Sequence, residues 1–388
     1  NGAKKIWIAN VGDIKPTEYT MEFFLDLAWD VNSINQENIN DHLEEWAARD
    51  LGNKVAMGTA AIMDEYYRLA FLRKPEYMGW SQTEPTTPTQ LSKLSSGEAK
   101  RRIASYRSLV EQVDSLKAYV PKERLSAWFQ LIAYPVKSAA NMNYKFLYHQ
   151  RAAISNDIQK QYKYSDLSSK AYEKIKELTT NYNNLENGKW EHMMSMSPRS
   201  LPVFDALTIN INKVKISRSA ALDDHRIYIQ GYEFTDSNGF EGYEWKPING
   251  FGYSNSALTL FPLKTASFKD EKPWVSYEFD AKEIGNFQLE IRFVPIHSNT
   301  LDQEVVVEID DKNKGVFQLN TKGRSEAWKE NVLQNSKLIQ IPLAVSTSGK
   351  HTLKVYVNQT GIVIDQLAIS PSNDADFYEI PLRHKGKK

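Results

Sequence analysis

Ile6-Trp7-Ile8-Ala9-Asn10-Val11-Gly12-Asp13-Ile14-Lys15-Pro16 decides how the rest of the chain is read. Ile6, Trp7, Ile8 and Val11 are large or β-branched and the run is short, which predicts a buried strand. Gly12-Asp13 is a turn signal. Tyr19–Asp30 then reads as a helix with Phe23, Phe24, Leu27 and Ala28 toward a core. Strand, turn and helix make half of a βαβ unit. Such a unit needs a parallel neighbour and a crossover of a dozen or more residues. Neither lies nearby, and an unpaired buried strand leaves its backbone groups unsatisfied. The expectation is that this is the last strand of an α/β domain. Asn10 and Asp13 fall at its carboxyl end, where α/β barrels and open sheets collect active-site residues. Both types also favour turns for local reasons, so a purely structural role is the competing reading.

Outward from there, Asn38 caps a helix over Ile39–Leu51 that stops at Gly52. A helix over residues 53–74 follows, ended by Pro75. Residues 76–89, with Pro85, Pro88, Tyr77 and Trp80, read as a loop. Ser95 or Ser96 caps a helix to about Tyr119. Pro121 opens a long helix to about Asn156, which Pro135 is expected to kink. A last helix spans about 166–185 and stops at Asn187-Gly188. Long amphipathic helices in succession predict a helical bundle.

After Pro198–Pro202 the period changes to two. Strands are expected at 213–218, 226–230, 274–279, 287–293, 304–309, 315–319, 338–345, 351–357 and 362–369, separated by polar turns such as Asp236-Ser237-Asn238-Gly239 and Asp310-Asp311. That pattern predicts an antiparallel β-sandwich of jelly-roll type. The expected fold is therefore multidomain: the end of a barrel (1–31), an all-α bundle (32–200), a β-sandwich (201–372) and a polar tail (373–388).

The 388 residues carry 48 basic and 48 acidic side chains. Zero net charge argues against a nucleic-acid binder. Cysteine is absent, excluding disulfides and thiolate metal sites. No apolar run is long enough to span a membrane. The seven histidines show no ligand spacing, so no metal or other cofactor is expected. Asp223-Asp224 and Asp310-Asp311 could bind calcium but read more simply as solvated turns. Several tryptophans, Trp80 above all, could be sugar platforms, against a core role for most of them.

Four stretches together resemble glycoside hydrolase family 115, the α-glucuronidases acting on glucuronoxylan. They are Ile6–Pro16 with Phe23–Trp29; Tyr67–Glu76 with Gln130–Lys137 and Ala140-Asn141; Gly188-Lys189-Trp190 with Met193-Met194; and Trp245 through Gly250-Phe251-Gly252, Phe261-Pro262 and Gly349–Val355. The resemblance implies a TIM-like catalytic barrel whose acid and base carboxylates lie upstream of this chain, leaving Asn10 and Asp13 as candidate sugar contacts at the rim. It also implies a periplasmic or secreted enzyme whose partner is a xylan-derived oligosaccharide or polysaccharide, and the chain alone is expected to be inactive. Tyr253 departs from the pattern, since a basic residue often follows the Gly-x-Gly. Two other functions stay open: a carbohydrate-binding module, and a scaffold for a homodimer.

Overall fold

A computed structural model of the chain describes residues 5–11, 15, 17–35, 37–74, 78, 91–92, 94–207, 226–296, 302–323 and 325–371. Asp13, Trp80, Asp223-Asp224, the strand expected at 213–218 and the tail lie outside the described residues. Two compact units emerge. One comprises Gly2–Ala70 and Lys74–Ser217; the other gathers Phe71–Arg73 and Arg218–Lys388.

The first unit is helical: α1 (Glu18–Trp29), α2 (Ile39–Leu51), α3 (Ala56–Leu72), α4 (Ser96–Leu116), α5 (Leu125–Trp128), α6 (Tyr134–Ile154), α7 (Ile158–Asn183) and the short turn α8 (Leu185–Gly188). Local chemistry sets several ends. Ser95 accepts the Glu98 N–H while the Glu98 carboxylate accepts the Ser95 N–H, a capping box at α4. Asp157 caps α7 through the Gln159 and Lys160 N–H groups. Gly52 closes α2 at φ +110. α6 and α7 run antiparallel, since Ser168 Oγ donates to the Lys145 carbonyl while Tyr164 stacks on Tyr148 at 6.2 Å. Trp128, Ile132, Val136, Leu147, Leu178 and Tyr182 fill the core.

Two expectations fail here. Ile6–Val11 is not a strand, because among the described residues no neighbouring strand offers it a ladder. Ile6 and Ile8 are 75% and 87% exposed. α1 buries no residue fully; Phe23, Phe24 and Leu27 are half-buried and Ala28 is exposed. The long helix before Pro135 also breaks differently. A π-helical turn, Phe129–Ala133, precedes the proline, and the Tyr134 N–H donates to the Phe129 carbonyl five residues back.

Among its described residues the second unit holds two antiparallel sheets and the helix α9 (Glu326–Gln334). Its strands are β1 (Ile227–Gln230), β2 (Asp236–Asn238), β3 (Glu244–Asn249), β4 (Ser256–Phe261), β5 (Trp274–Ala281), β6 (Gly285–Phe293), β7 (Glu304–Ile309), β8 (Lys312–Gln318), β9 (Lys337–Val345), β10 (Gly349–Val357) and β11 (Ile364–Pro371), with α9 between β8 and β9. One sheet has the order β3-β4-β11-β6-β9 with β1 also on β11; the other runs β2-β5-β10-β7-β8. Val275, Tyr277, Phe279 and Leu353 from one sheet share a core with Leu289, Ile291, Ile341 and Leu367 from the other. Period-two alternation puts these inward and the intervening polar residues outward. Asp310 and Asp311, at φ +50 and +58, make the β7–β8 turn.

Candidate functional site

Asn10 lies in the exposed segment before α1. Five residues on, the chain enters a polar and aromatic cluster. Lys15 Nζ lies 2.6 Å from Glu18 Oε1, at the first turn of α1. Gln130 Nε2 donates to the same oxygen at 2.8 Å. Gln130 sits in the π-helical turn, which re-aims side chains relative to a regular α-helix. The Lys15 ammonium stands 4.2 Å above the half-buried Trp190 ring. Three stretches of chain thus meet around the Lys15–Glu18 pair: the entry to α1, the π turn and the segment after α8.

An aromatic stack fixes α1 beside them. Tyr19 meets Trp46 edge-on at 5.1 Å and stacks on Tyr67 at 6.4 Å; Phe23 meets His42 edge-on at 5.3 Å. Burial, then the Glu22 carboxylate, pushes the Tyr19 hydroxyl up to about 12. Burial also raises Tyr67 and Tyr182, with Glu18 adding to both. These phenols stay neutral donors near neutral pH. His42 Nε2 lies 3.0 Å from Asp26, and Arg49 grips Glu22 through both oxygens at 2.5 and 2.8 Å. The cluster can orient a hydroxylated ligand by hydrogen bonds. Its carboxylates, Glu18, Glu22 and Asp26, are each engaged by a side-chain partner, whereas glycoside hydrolysis by the usual route needs two flanking the bond.

In the second unit, the Gly250-Phe251-Gly252-Tyr253 loop turns inward. Asp365 is fully buried, and its carboxylate accepts the N–H groups of Tyr253 at 2.6 Å and Ser254 at 2.9 Å. Burial raises this carboxyl's pKa, against the pull of those donors and of Arg292. The Arg292 guanidinium lies 4.2 Å above the Tyr253 ring. Its Nη1 donates to Gln366 at 3.0 Å, and Gln366 donates to Gln230. Tyr253, at the position where the family pattern often has a basic residue, is 3% exposed, so here the loop serves the interior. Neither this network nor the Glu18 cluster was visible in the sequence, because both join residues more than 70 positions apart. Their foreshadowing was that Lys15, Gln130, Trp190 and Gly250–Tyr253 fell in stretches singled out above.

Among the described residues, no group of three or more His, Asp or Glu could hold a metal ion. No helix among them is long and apolar enough to cross a membrane.

Comparison with known proteins places the chain among the glycoside hydrolases. Residues 1–77 match the family model described as glycosyl hydrolase family 115, and residues 223–378 match that of the family's C-terminal domain. The chain belongs to glycosyl hydrolase family 115. It is similar to the solved structure of BtGH115A, a 4-O-methyl-α-glucuronidase with specificity for decorated arabinogalactans, at 33% identity and a TM-score of 0.81. That match covers 95% of this chain and 46% of the other, so the chain spans less than half the length of that relative. Carbohydrate-binding modules also match, two of them as follows. The C-terminal CBM6 of the marine laminarinase LamC from Zobellia galactanivorans shows 16% identity, 37% and 98% coverage and a TM-score of 0.26. A family 35 module from Clostridium thermocellum shows 9% identity, 38% and 98% coverage and a TM-score of 0.28. These two scores are too low to extend the description of the fold. No curated protein sequence matches the chain.

Proposed function

We propose that this chain is part of an α-glucuronidase that removes glucuronic acid or its 4-O-methyl ether from a decorated plant polysaccharide. In this reading residues 1–31 complete a catalytic barrel, the helical unit is a bundle that braces it, and the two sheets form a β-sandwich. The acid and base carboxylates lie in the part of the enzyme that corresponds to the rest of BtGH115A. Asn10 hydrogen-bonds the sugar at the barrel rim and Asp13 shapes the turn beside it. The enzyme works outside the cytoplasm, where such polysaccharides are met.

One observation carries the reading. Ile6, Ile8, Leu25, Trp29 and Val31 are 59–93% exposed, all within the first 31 residues of a stretch matched by the family model. Apolar side chains concentrated in this way need a cover, and a barrel supplies one. The test is release of 4-O-methylglucuronic acid by the complete enzyme from glucuronoxylan and from arabinogalactan. Release from either supports the reading, and the ratio sets the preference. No uronic acid from either would overturn it.

A further inference from the structure

The outer face of the β2-β5-β10-β7-β8 sheet carries a row of side chains at right angles to its strands. Asn238 pairs with Trp274, Trp274 with Tyr356, Tyr356 with Val306, and Val306 with Val316. Strands lie about 4.8 Å apart, so the Asn238-to-Val306 stretch runs roughly 14 Å. Trp274, Tyr356 and Val306 are half-buried and Val316 is 55% exposed, whereas the rest of this face is polar. The row floors an open cleft of about 330 Å³ walled by Asp270, Glu271, Lys272 and Glu308.

Two aromatic rings side by side, an amide at one end and carboxylates along the walls match the chemistry of a sugar chain. Sugar C–H faces stack on rings, and hydroxyls donate to carboxylates. Tyr356 Oη already donates to Glu308 at 2.8 Å, which fixes the ring. Lys354 Nζ, 5.2 Å from the Trp274 centroid, edges the row. The charges narrow the ligand. The cleft's cations are already matched by acids: Lys272 Nζ lies 3.7 Å from Glu304 and Lys354 Nζ 3.5 Å from Asp311. Among the described residues, Asp270, Glu271 and Glu308 remain in excess. Like charges repel, so this surface disfavours a uronate.

We propose that the cleft over Trp274 and Tyr356 binds a neutral stretch of β-linked glycan backbone, several residues long, and excludes the glucuronate decoration. The inference deepens the glycan-degrading reading above and rests on it. It assigns this face to holding the backbone whose side groups are cleaved elsewhere.

The test is binding, without turnover, by the full 388-residue chain. Tryptophan fluorescence and calorimetry are followed with xylohexaose, a β-1,3-galactan hexasaccharide and free 4-O-methylglucuronic acid. The expected result is saturable binding of at least one hexasaccharide at millimolar or lower concentration, with the acid not bound. The two hexasaccharides distinguish a xylan from a galactan source. Trp274→Thr and Tyr356→Ala should each weaken binding about tenfold or more, with melting temperatures close to that of the parent. Three results would each overturn the proposal: no binding of either hexasaccharide, binding that survives both substitutions, or tighter binding of the acid. None of them touches uronic acid release by the complete enzyme, so the two readings fail separately.

Discussion

At Gly252 the backbone takes φ +83, and a methyl group added there would come within 2.5 Å of Asp365 Oδ1. Left-handed backbone costs an L-residue about 1–2 kcal/mol. Moving the buried carboxylate off its two N–H donors costs about as much again. Gly252→Ala should therefore lose about 3 kcal/mol, a fall of roughly 6–12 °C in the melting of this unit; a fall under about 2 °C would show that the loop gives way freely. His351 supplies a pH-dependent counterpart. Its Nδ1 lies 2.7 Å from Asp310 and its Nε2 2.9 Å from the Thr347 carbonyl, and the Asp310 bond raises its pKa against burial. Burial would raise Asp310, but the hydrogen bonds from His351 and the Thr352 N–H outweigh it and lower that pKa. Asp280 adds to the pull on His351, and Lys312 to that on Asp310. A raised histidine stabilises fully below its unfolded value of about 6.5 and loses this as pH rises through the folded value. A lowered carboxylate stabilises above about 3.9 and loses this as pH falls through its lower folded value. Both contributions are complete between about pH 4 and 6.5. Asp310's side chain is 46% exposed, so solvent holds the gain to about 1 kcal/mol. Melting followed from about pH 5.5 to 8.5 should fall more steeply in the parent than in His351→Gln; parallel curves would remove the pair from the account.

At the scale of elements, the segment after α8 shows how a proline-rich connection is anchored. Pro198–Ser200 and Pro202–Phe204 are short 3-10 turns, and Leu201 and Val203 are buried. Lys145 on α6, also buried, donates to the carbonyls of Val203 at 2.8 Å and Asp205 at 2.9 Å. Burial pulls its ammonium down to about 8, against the Asp205 charge. Lys145→Ala would strand two carbonyls and open a void, costing about 2–4 kcal/mol. Limited proteolysis should then cut between Met196 and Asp205, sites the parent resists; an unchanged digest and melting point would show that the anchor is dispensable. Much at this scale was legible. Gly52 ends α2 where expected and Val-rich Glu304–Ile309 is β7 residue for residue, because such signals act locally, whereas Asn38 precedes α2 without a capping hydrogen bond, its side chain turned back to Asn35 and Ser33. What was not legible depends on partners far along the chain. Asp236–Asn238 reads as a turn yet becomes β2, since hydrogen bonding to β5 and not propensity decides it. α9 hides in a polar stretch and is stopped by a left-handed Asn335. The π turn leaves no sequence mark, so Gln130 could not be aimed at Glu18, 112 positions away. Ile6–Val11 differs for the opposite reason: its residues suit a strand, but a strand forms only where another pairs with it, and none does among the described residues.

For the whole molecule, the consequences lie on residues 6–31. The isolated chain should not hydrolyse aldouronic acids, because residues 1–31, as the end of a barrel, cannot by themselves place two carboxylates on either side of the bond; turnover above a mock preparation would contradict this. In the complete enzyme, Asn10→Ala should lower kcat/KM about five- to tenfold with melting unchanged, the loss of one hydrogen bond worth about 1 kcal/mol. Unaltered kinetics would return Asn10 to a purely local role. Trp29 gives the sharpest contrast. It is 93% exposed here, so Trp29→Ser in the isolated chain should shift stability by no more than about 0.5 kcal/mol. If the remainder of the enzyme covers this ring, the same change there removes a large buried aromatic and costs about 3–5 kcal/mol. The comparison cancels any effect of serine on α1 itself, because the helix is common to both proteins. Should the isolated chain instead self-associate through this face, its parent form will sediment as an oligomer and Trp29→Ser will sediment as a monomer. An equally small effect in both proteins, with the chain monomeric throughout, would mean that nothing covers Trp29 and that the barrel assignment of residues 1–31 is wrong.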